Sequence, residues 1–223
     1  MTTALAPRLR VAIVDDDTVI RDGLPLLLHD SDIVGRYSDV DELLLDTPTV
    51  DVVLLDLVLT GTGRSGIQQG ASGIRAVKDA GYRVLIYTNE RRRAVLASCL
   101  AIGARGVVHK AEPIRALETA IAAVANDQIV ITTALVGLAE LADRRGRLPT
   151  LTARQRQVLS GRARGETFQS IADRLFITRK VAEEHMAVVT AKFADFLRNH
   201  SPADLERHLG IAPGDILDPP DRS

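Results

Sequence analysis

Long apolar runs are missing from this chain. Hydrophobic residues make up 46% of its 223 positions, yet no stretch reaches the 18 apolar residues that suggest a membrane-crossing helix. Met1 to Arg10 contains no apolar signal core. There is one cysteine, Cys99, which excludes an intramolecular disulfide framework. It lies in an apolar helical stretch and reads as a small core residue in a reducing cytosol. No Cys/His cluster has zinc spacing. Lysine is scarce, four against twenty-four arginines, a bias that says little about chemistry. These absences point to a cytoplasmic protein with no membrane partner and no structural zinc.

The length suffices for two modest domains. The net charge of −1 conceals an asymmetry. Residues 1–125 carry fourteen basic and sixteen acidic side chains, and residues 151–200 carry nine basic and five acidic. The tail 201–223 is acidic again, two against five. A basic segment between acidic ones suits contact with nucleic acid, although the excess is modest.

In the first 125 residues short apolar runs alternate with amphipathic stretches, the pattern of an α/β domain with right-handed crossovers. Strands are expected near 10–15, 33–37, 51–56, 83–87 and 105–109, with helices near 17–29, 39–46, 71–80, 91–102 and 112–126. The run Val11–Val14 ends in Asp15-Asp16-Asp17, and Val50–Leu55 ends in Asp56. Val84–Tyr87 ends in Thr88, and Gly106–His109 ends in Lys110. Continuous aliphatic runs of this kind read as buried parallel strands, whose ligand sites lie beyond their carboxyl ends. A cluster of carboxylates in one small volume calls for a cation, and hard oxygen ligands favour Mg²⁺. A carboxylate can act as a nucleophile toward phosphorus, while a lysine and a hydroxyl hold the equatorial oxygens of the transferring group. Singly, each of these residues is more often a helix cap or a loop solubiliser.

With those residues in register, the chain resembles the receiver domain of two-component response regulators over roughly residues 8–125. The resemblance implies a flavodoxin-like five-stranded parallel sheet. It makes Asp56 the phospho-acceptor, Thr88 the switch hydroxyl and Lys110 the phosphate-binding ammonium. Mg²⁺ would be held by Asp15, Asp16 (directly), Asp56 and the backbone carbonyl of Val58. Haloacid-dehalogenase-type phosphatases share the Asp, Thr and Lys, but they need a second Asp two residues after the nucleophile, where this chain has Val58.

Residues 132–145 are amphipathic enough for a linker helix, with Leu135, Leu138 and Leu141 at helical spacing, and 144–149 read as its end and a hinge. Thr152-Ala153-Arg154-Gln155 is a capping box opening a helix to about Ala163. A second helix is expected over Phe168–Leu175, a third from Arg179 to about Leu197 behind the cap Thr178, and a fourth from Ser201 to Gly210. A short helix, a tight turn and a long helix with a basic start follow the helix-turn-helix plan. The stretch Leu151–Leu159, then Ala163-Arg164-Gly165, then Ile171–Thr178 resembles the LuxR/NarL-type DNA-binding domain over roughly 148–210.

The expected domains are a receiver at 8–126, a helical linker at 127–147, an all-α four-helix helix-turn-helix domain at 148–211 and an acidic tail at 212–223. The combined architecture resembles a LuxR/NarL-type response regulator. That implies a DNA-binding transcription regulator rather than an enzyme, phosphorylated by a cognate histidine kinase or a small phosphodonor, dimeric when active, with promoter DNA as partner. Two other readings remain: a phosphorylation-independent regulator, and a protein-interaction module that has lost DNA binding.

Several positions depart from the family pattern. The outward residues of the recognition helix are Lys180, Glu183, Glu184, Ala187 and Ala191, where the family commonly has a lysine at the place of Glu183. The DNA-contacting set is expected to be Arg179, Lys180, Glu183, Glu184, Ala187, Arg154 and Arg156. Glutamates oppose phosphate contact, yet they can accept from cytosine N4, or pair with Arg179 or Lys180. His185 is expected on the apolar side with Val181, Val188 and Val189. The glycine-rich loop 60–73 is longer than the usual receiver loop and fits neither a Rossmann nor a P-loop fingerprint; a flexible loop without a core role is expected. Val107 stands where receivers commonly have a switch aromatic, and Asn89 where a small residue is common.

Overall fold

The computed structural model describes residues 8–59, 70–131, 133–144, 146 and 150–199. Five parallel strands, β1 (Leu9–Val14), β2 (Ser31–Tyr37), β3 (Val52–Leu55), β4 (Val84–Thr88) and β5 (Gly106–His109), form one sheet in the order β2-β1-β3-β4-β5. They alternate with α1 (Thr18–Leu27), α2 (Val40–Asp46), α3 (Gly70–Asp79), α4 (Arg93–Ile102) and α5 (Ile114–Ala125). This is the flavodoxin-like order anticipated from the sequence. The strand order reverses between β1 and β3, which opens a crevice at their carboxyl ends.

The two central strands are buried at every position because helices cover both faces of the sheet. Alternate residues point to opposite sides. Ala12, Val14, Val53, Leu55 and Ile86 enter one core with α2, α3 and α4, while Val11, Ile13, Val52, Leu54 and Leu85 enter the other with α5. Cys99 lies buried in the first core, as expected of a small hydrophobe.

The second half is helical: α6 (Thr133–Arg144), α7 (Ala153–Ala163), α8 (Phe168–Leu175) and α9 (Arg179–Arg198). Thr152 and Gln155 complete the capping box of α7 reciprocally. Thr178 caps α9 through the Val181 N–H. Gly165 ends the α7 turn at φ +84°, a conformation that other residues adopt only with strain. Among the described residues Phe193 of α9 is the largest fully buried side chain, and it anchors α9 in the helical core.

The two halves meet. Helix α9 packs against α4 as well as against α7 and α8, and α6 lies on α7. One apolar cluster runs from the sheet face through Leu96, Cys99 and Leu100 of α4 to Met186, Val189, Phe193 and Phe196 of α9.

Some expectations change. Gly70 and Gly73 belong to the first turn of α3, and Gly73 is buried there, so the glycine-rich segment does reach the core. Val188 is 43% exposed rather than on the apolar side. The buried stripe of α9 runs through Ala182, Met186, Val189 and Phe193, spaced three to four residues apart, and Val188 is one residue off it. Leu135 is buried as the linker pattern requires. The side chains of Leu138 and Leu141, loop residues 60–69 and the fourth helix at 201–210 lie outside the described residues.

Candidate functional site

Four strand ends deliver the site. The Asp56 N–H donates to the Val14 carbonyl (3.0 Å), and the Lys110 N–H to the Thr88 carbonyl (2.8 Å), so sheet pairing continues one residue past the strands and fixes both side chains. The cleft beyond them measures about 660 Å³ and is lined by Asp16, Asp17, Asp56, Val58, Thr88, Asn89, Glu90 and Lys110.

The three consecutive aspartates divide their work. Asp17 is the N-cap of α1, accepting from the Val19 N–H at 2.8 Å. Asp15 points inward, 2% exposed, and accepts from the Asp17 N–H at 3.0 Å through Oδ1. Asp16 completes a cluster with Asp15 and Asp56 in which one carboxylate oxygen from each lies within 4.8 Å of the others. An Arg21 guanidinium N–H holds the Asp15 carbonyl at 2.8 Å and so pins the loop.

Lys110 bridges two of these acids. Its Nζ lies 2.7 Å from Asp15 Oδ2 and 2.9 Å from Asp56 Oδ2. The other Asp56 oxygen accepts from the Leu57 N–H at 2.7 Å. Burial alone would lower the Lys110 pKa, but the two carboxylates outweigh it and hold the ammonium above its usual range. Burial raises Asp15, and the pull of Lys110 only partly offsets it. The donor set consists of hard oxygens carrying three negative charges against one ammonium, which fits a divalent cation of the Mg²⁺ type.

Thr88 is buried, and its Oγ1 accepts from the Glu90 N–H at 3.2 Å. The Glu90 carboxylate accepts from the Arg91 and Arg92 N–H groups at 2.8 and 2.7 Å and from the Arg92 guanidinium at 2.6 Å. The Arg92 contact leads in holding Glu90 below the usual carboxylate range. Val58 is 53% exposed at the rim, and Val107 is buried.

The structure thus brings together Asp15, Asp16, Asp56, Thr88 and Lys110. His109, Asn89 and Glu90 escape a reading by strand ends. The one signal in the sequence for His109 is a titratable side chain immediately before Lys110.

On the helical half, Lys180, Glu184, Ala187 and Arg154 are exposed. Glu183 pairs with Arg179 one helical turn away, at 2.7 Å. Arg156 is turned toward the linker helix and pairs with Asp143 at 3.0 Å. A hydrogen bond from Ser160 to Glu140 at 2.8 Å adds to the same contact.

The chain matches the family "Response regulator receiver domain" over residues 11–122 and "Bacterial regulatory proteins, luxR family" over residues 149–194. It is 31% identical over 190 residues to the probable transcriptional regulatory protein SgaR of Hyphomicrobium methylovorum, covering 83% of this chain and 87% of that one. It is also 31% identical over 193 residues to the response regulator RamR of Streptomyces coelicolor, covering 82% and 88%. Among solved structures, RcsB dimers bound to two parallel DNAs superpose with a TM-score of 0.53 at 21% identity, covering 86% of this chain and 97% of that one. RcsB of Salmonella enterica serovar Typhimurium bound to promoter DNA with a phosphomimetic also gives 0.53, at 20% identity, covering 89% and 98%.

Proposed function

Because the chain belongs to the transcriptional response regulators that join a receiver domain to a LuxR-type helix-turn-helix domain, we propose that Asp56 is its phospho-acceptor and that phosphorylation controls how the helical half meets promoter DNA. The observation that carries this is the Asp56 carboxylate beside Lys110 and Asp15, at a cleft that Thr88 also lines. Asp56 Oδ2 attacks the phosphorus of a phosphohistidine or a small acyl phosphate. The P–N or P–O bond to the donor breaks, and the donor leaves as imidazole, which takes up a proton, or as a carboxylate.

Lys110 gives up its pairing with Asp56 and holds a phosphoryl oxygen instead. The Thr88 hydroxyl accepts from Glu90 and keeps its own proton to donate to another. Asp15, Asp16, Asp56 and the Val58 carbonyl would hold Mg²⁺, which supplies charge neutralisation for the transferring group. The signal then passes to α4, which follows Thr88 after a short loop and packs against α9. Displacing α4 changes the seat of the recognition helix and frees the helical half to dimerise on two half-sites.

Proposed domain bounds are 8–126, 127–147, 148–211 and 212–223. The exposed Lys180, Glu184, Ala187 and Arg154 are read as the DNA face, joined by Arg179 and Glu183 as a pair and by Arg156 once it leaves Asp143. Among the described residues no helix is long and apolar enough to cross a membrane, and a cytoplasmic location is part of this reading. The test is incubation with a small phosphodonor and Mg²⁺, read by intact mass. Wild type takes one phosphoryl group and Asp56→Asn takes none; equal labelling of the two refutes the assignment. A gel shift on promoter DNA with and without the donor reads the second half of the proposal.

A further inference from the structure

We propose that His109 is a positioning residue for the switch hydroxyl, acting through the peptide between Asn89 and Glu90. This rests on the reading of Asp56 and Thr88 just given. His109 lies opposite Thr88 in the register of β4 and β5. Its ring is half-buried and has two partners. The Ala111 N–H donates to Nδ1 at 3.0 Å, so Nδ1 carries the lone pair. The proton of the neutral ring is then on Nε2, which lies 3.1 Å from the Asn89 carbonyl and donates to it.

The Asn89 carbonyl and the Glu90 N–H belong to one planar peptide unit. The carbonyl end is held by His109, and the N–H end donates to Thr88 Oγ1 at 3.2 Å. One chain of donors therefore runs from His109 Nε2–H through the 89–90 peptide to the Thr88 hydroxyl, which lines the cleft and, as the acceptor of the Glu90 N–H, keeps its own proton to donate. Each bond in such a chain polarises the next. Without the His109 donor this peptide is free to rotate, and Thr88 Oγ1 loses the fixed N–H that leaves its proton available for a phosphoryl oxygen. His109 also ties the Thr88 loop to the Lys110 loop, since Ala111 follows Lys110 directly. The two groups that must converge on one phosphoryl group are thereby kept in step.

The ring geometry supplies a discriminating test. Glutamine places an amide N–H near the position of Nε2, while asparagine places its polar atoms near Nδ1. Phosphorylation by acetyl phosphate with Mg²⁺ is measured on the full chain for wild type, His109→Gln, His109→Asn and His109→Leu, with thermal melting of each as a control for folding. The expected result is a rate within about twofold of wild type for Gln and a fall of about three- to tenfold for Asn and Leu, the effect of one hydrogen bond. Leu equal to wild type, or Asn rescuing while Gln does not, overturns the role of His109. A wild type that takes no phosphoryl group removes the reading of Asp56 as well, so the two failures are distinguishable.

Discussion

Lys110→Met tests the electrostatics of the cleft, because methionine keeps most of the stem and removes the ammonium. In the folded chain the Lys110 side chain is 8% exposed, and its partners Asp15 and Asp56 are 2% and 10% exposed. Removing one partner of a buried ion pair costs about 3–5 kcal/mol, and the open side of the cleft favours the lower end, about 3 kcal/mol. For a chain of this size that lowers the melting temperature by roughly 6–12 °C. Asp15 already has a folded-state pKa above the ordinary 3.8 through burial, and loss of Lys110 raises it further. A raised carboxylate contributes stability that is fully present below its unfolded pKa and is lost as pH rises through the folded value. The deficit of the variant therefore shrinks as the pH is lowered from 7.5 toward 5. Mg²⁺ at ten times its dissociation constant returns about 1.4 kcal/mol to the variant. The gain is smaller in wild type, where Nζ competes for the same carboxylates. Melting curves at two pH values, with and without Mg²⁺, read all of this. Equal stability of variant and wild type refutes the buried pairing, no Mg²⁺ shift in either refutes the cation site, and a shift no larger in the variant than in wild type refutes the competition by Nζ.

Cys99 is pushed up to about 12 by burial, so a thiol reagent at pH 8 should label it only as fast as the fold opens; labelling at the rate of a free thiol contradicts its place in the core. Glu183→Ala removes the pair with Arg179 and should change stability by no more than about 0.5 kcal/mol, since both partners are exposed. If Glu183 also reads bases, selection from random duplexes should show preference relaxed at one or two base pairs, by about 1–3 kcal/mol each; an unchanged selection profile leaves it only the ion pair.

The acid cleft was legible because each of its members ends a strand, and strand ends can be read from apolar runs. How Asp15, Asp16 and Asp17 divide their work was legible only through the family resemblance. All three look alike in the sequence, and only the backbone turn into α1 makes Asp17 the cap. Gly73 lies both in the expected helix at 71–80 and at the end of the glycine-rich segment, and only the packing shows it buried. Glycine reads as loop, yet here it supplies a small face where α3 is buried. The role of His109 depends on the Asn89 carbonyl twenty residues earlier, and no local pattern encodes that contact. The packing of α4 on α9 was hidden because each helix already accounts for its apolar residues within its own domain. The pairing of Arg156 was hidden for the same reason: its partner Asp143 belongs to the linker helix.

Energetics limit what the cleft can do alone. Thr88 Oγ1 holds the Glu90 N–H, and the Glu90 carboxylate holds the first N–H groups before α4 and the Arg92 guanidinium. A Thr88 drawn toward a phosphoryl group while it still holds the Glu90 N–H thus pulls on the entry to the helix that seats α9. The bonds gained or strained in that movement are worth about 0.5–1.5 kcal/mol each. Moving an equilibrium from 1:99 to 99:1 takes about 5.5 kcal/mol. Two or three such bonds fall short, so the α4–α9 contact acts as a strong switch only if the closed arrangement is favoured by a small margin or if a second free energy joins in. Under the proposed function, dimerisation on DNA would be such a term, because it would bind the open form and draw the equilibrium by mass action. The Asp143–Arg156 pair belongs to the same balance: an exposed arginine on a carboxylate contributes little to closure, and phosphate competes with that carboxylate directly.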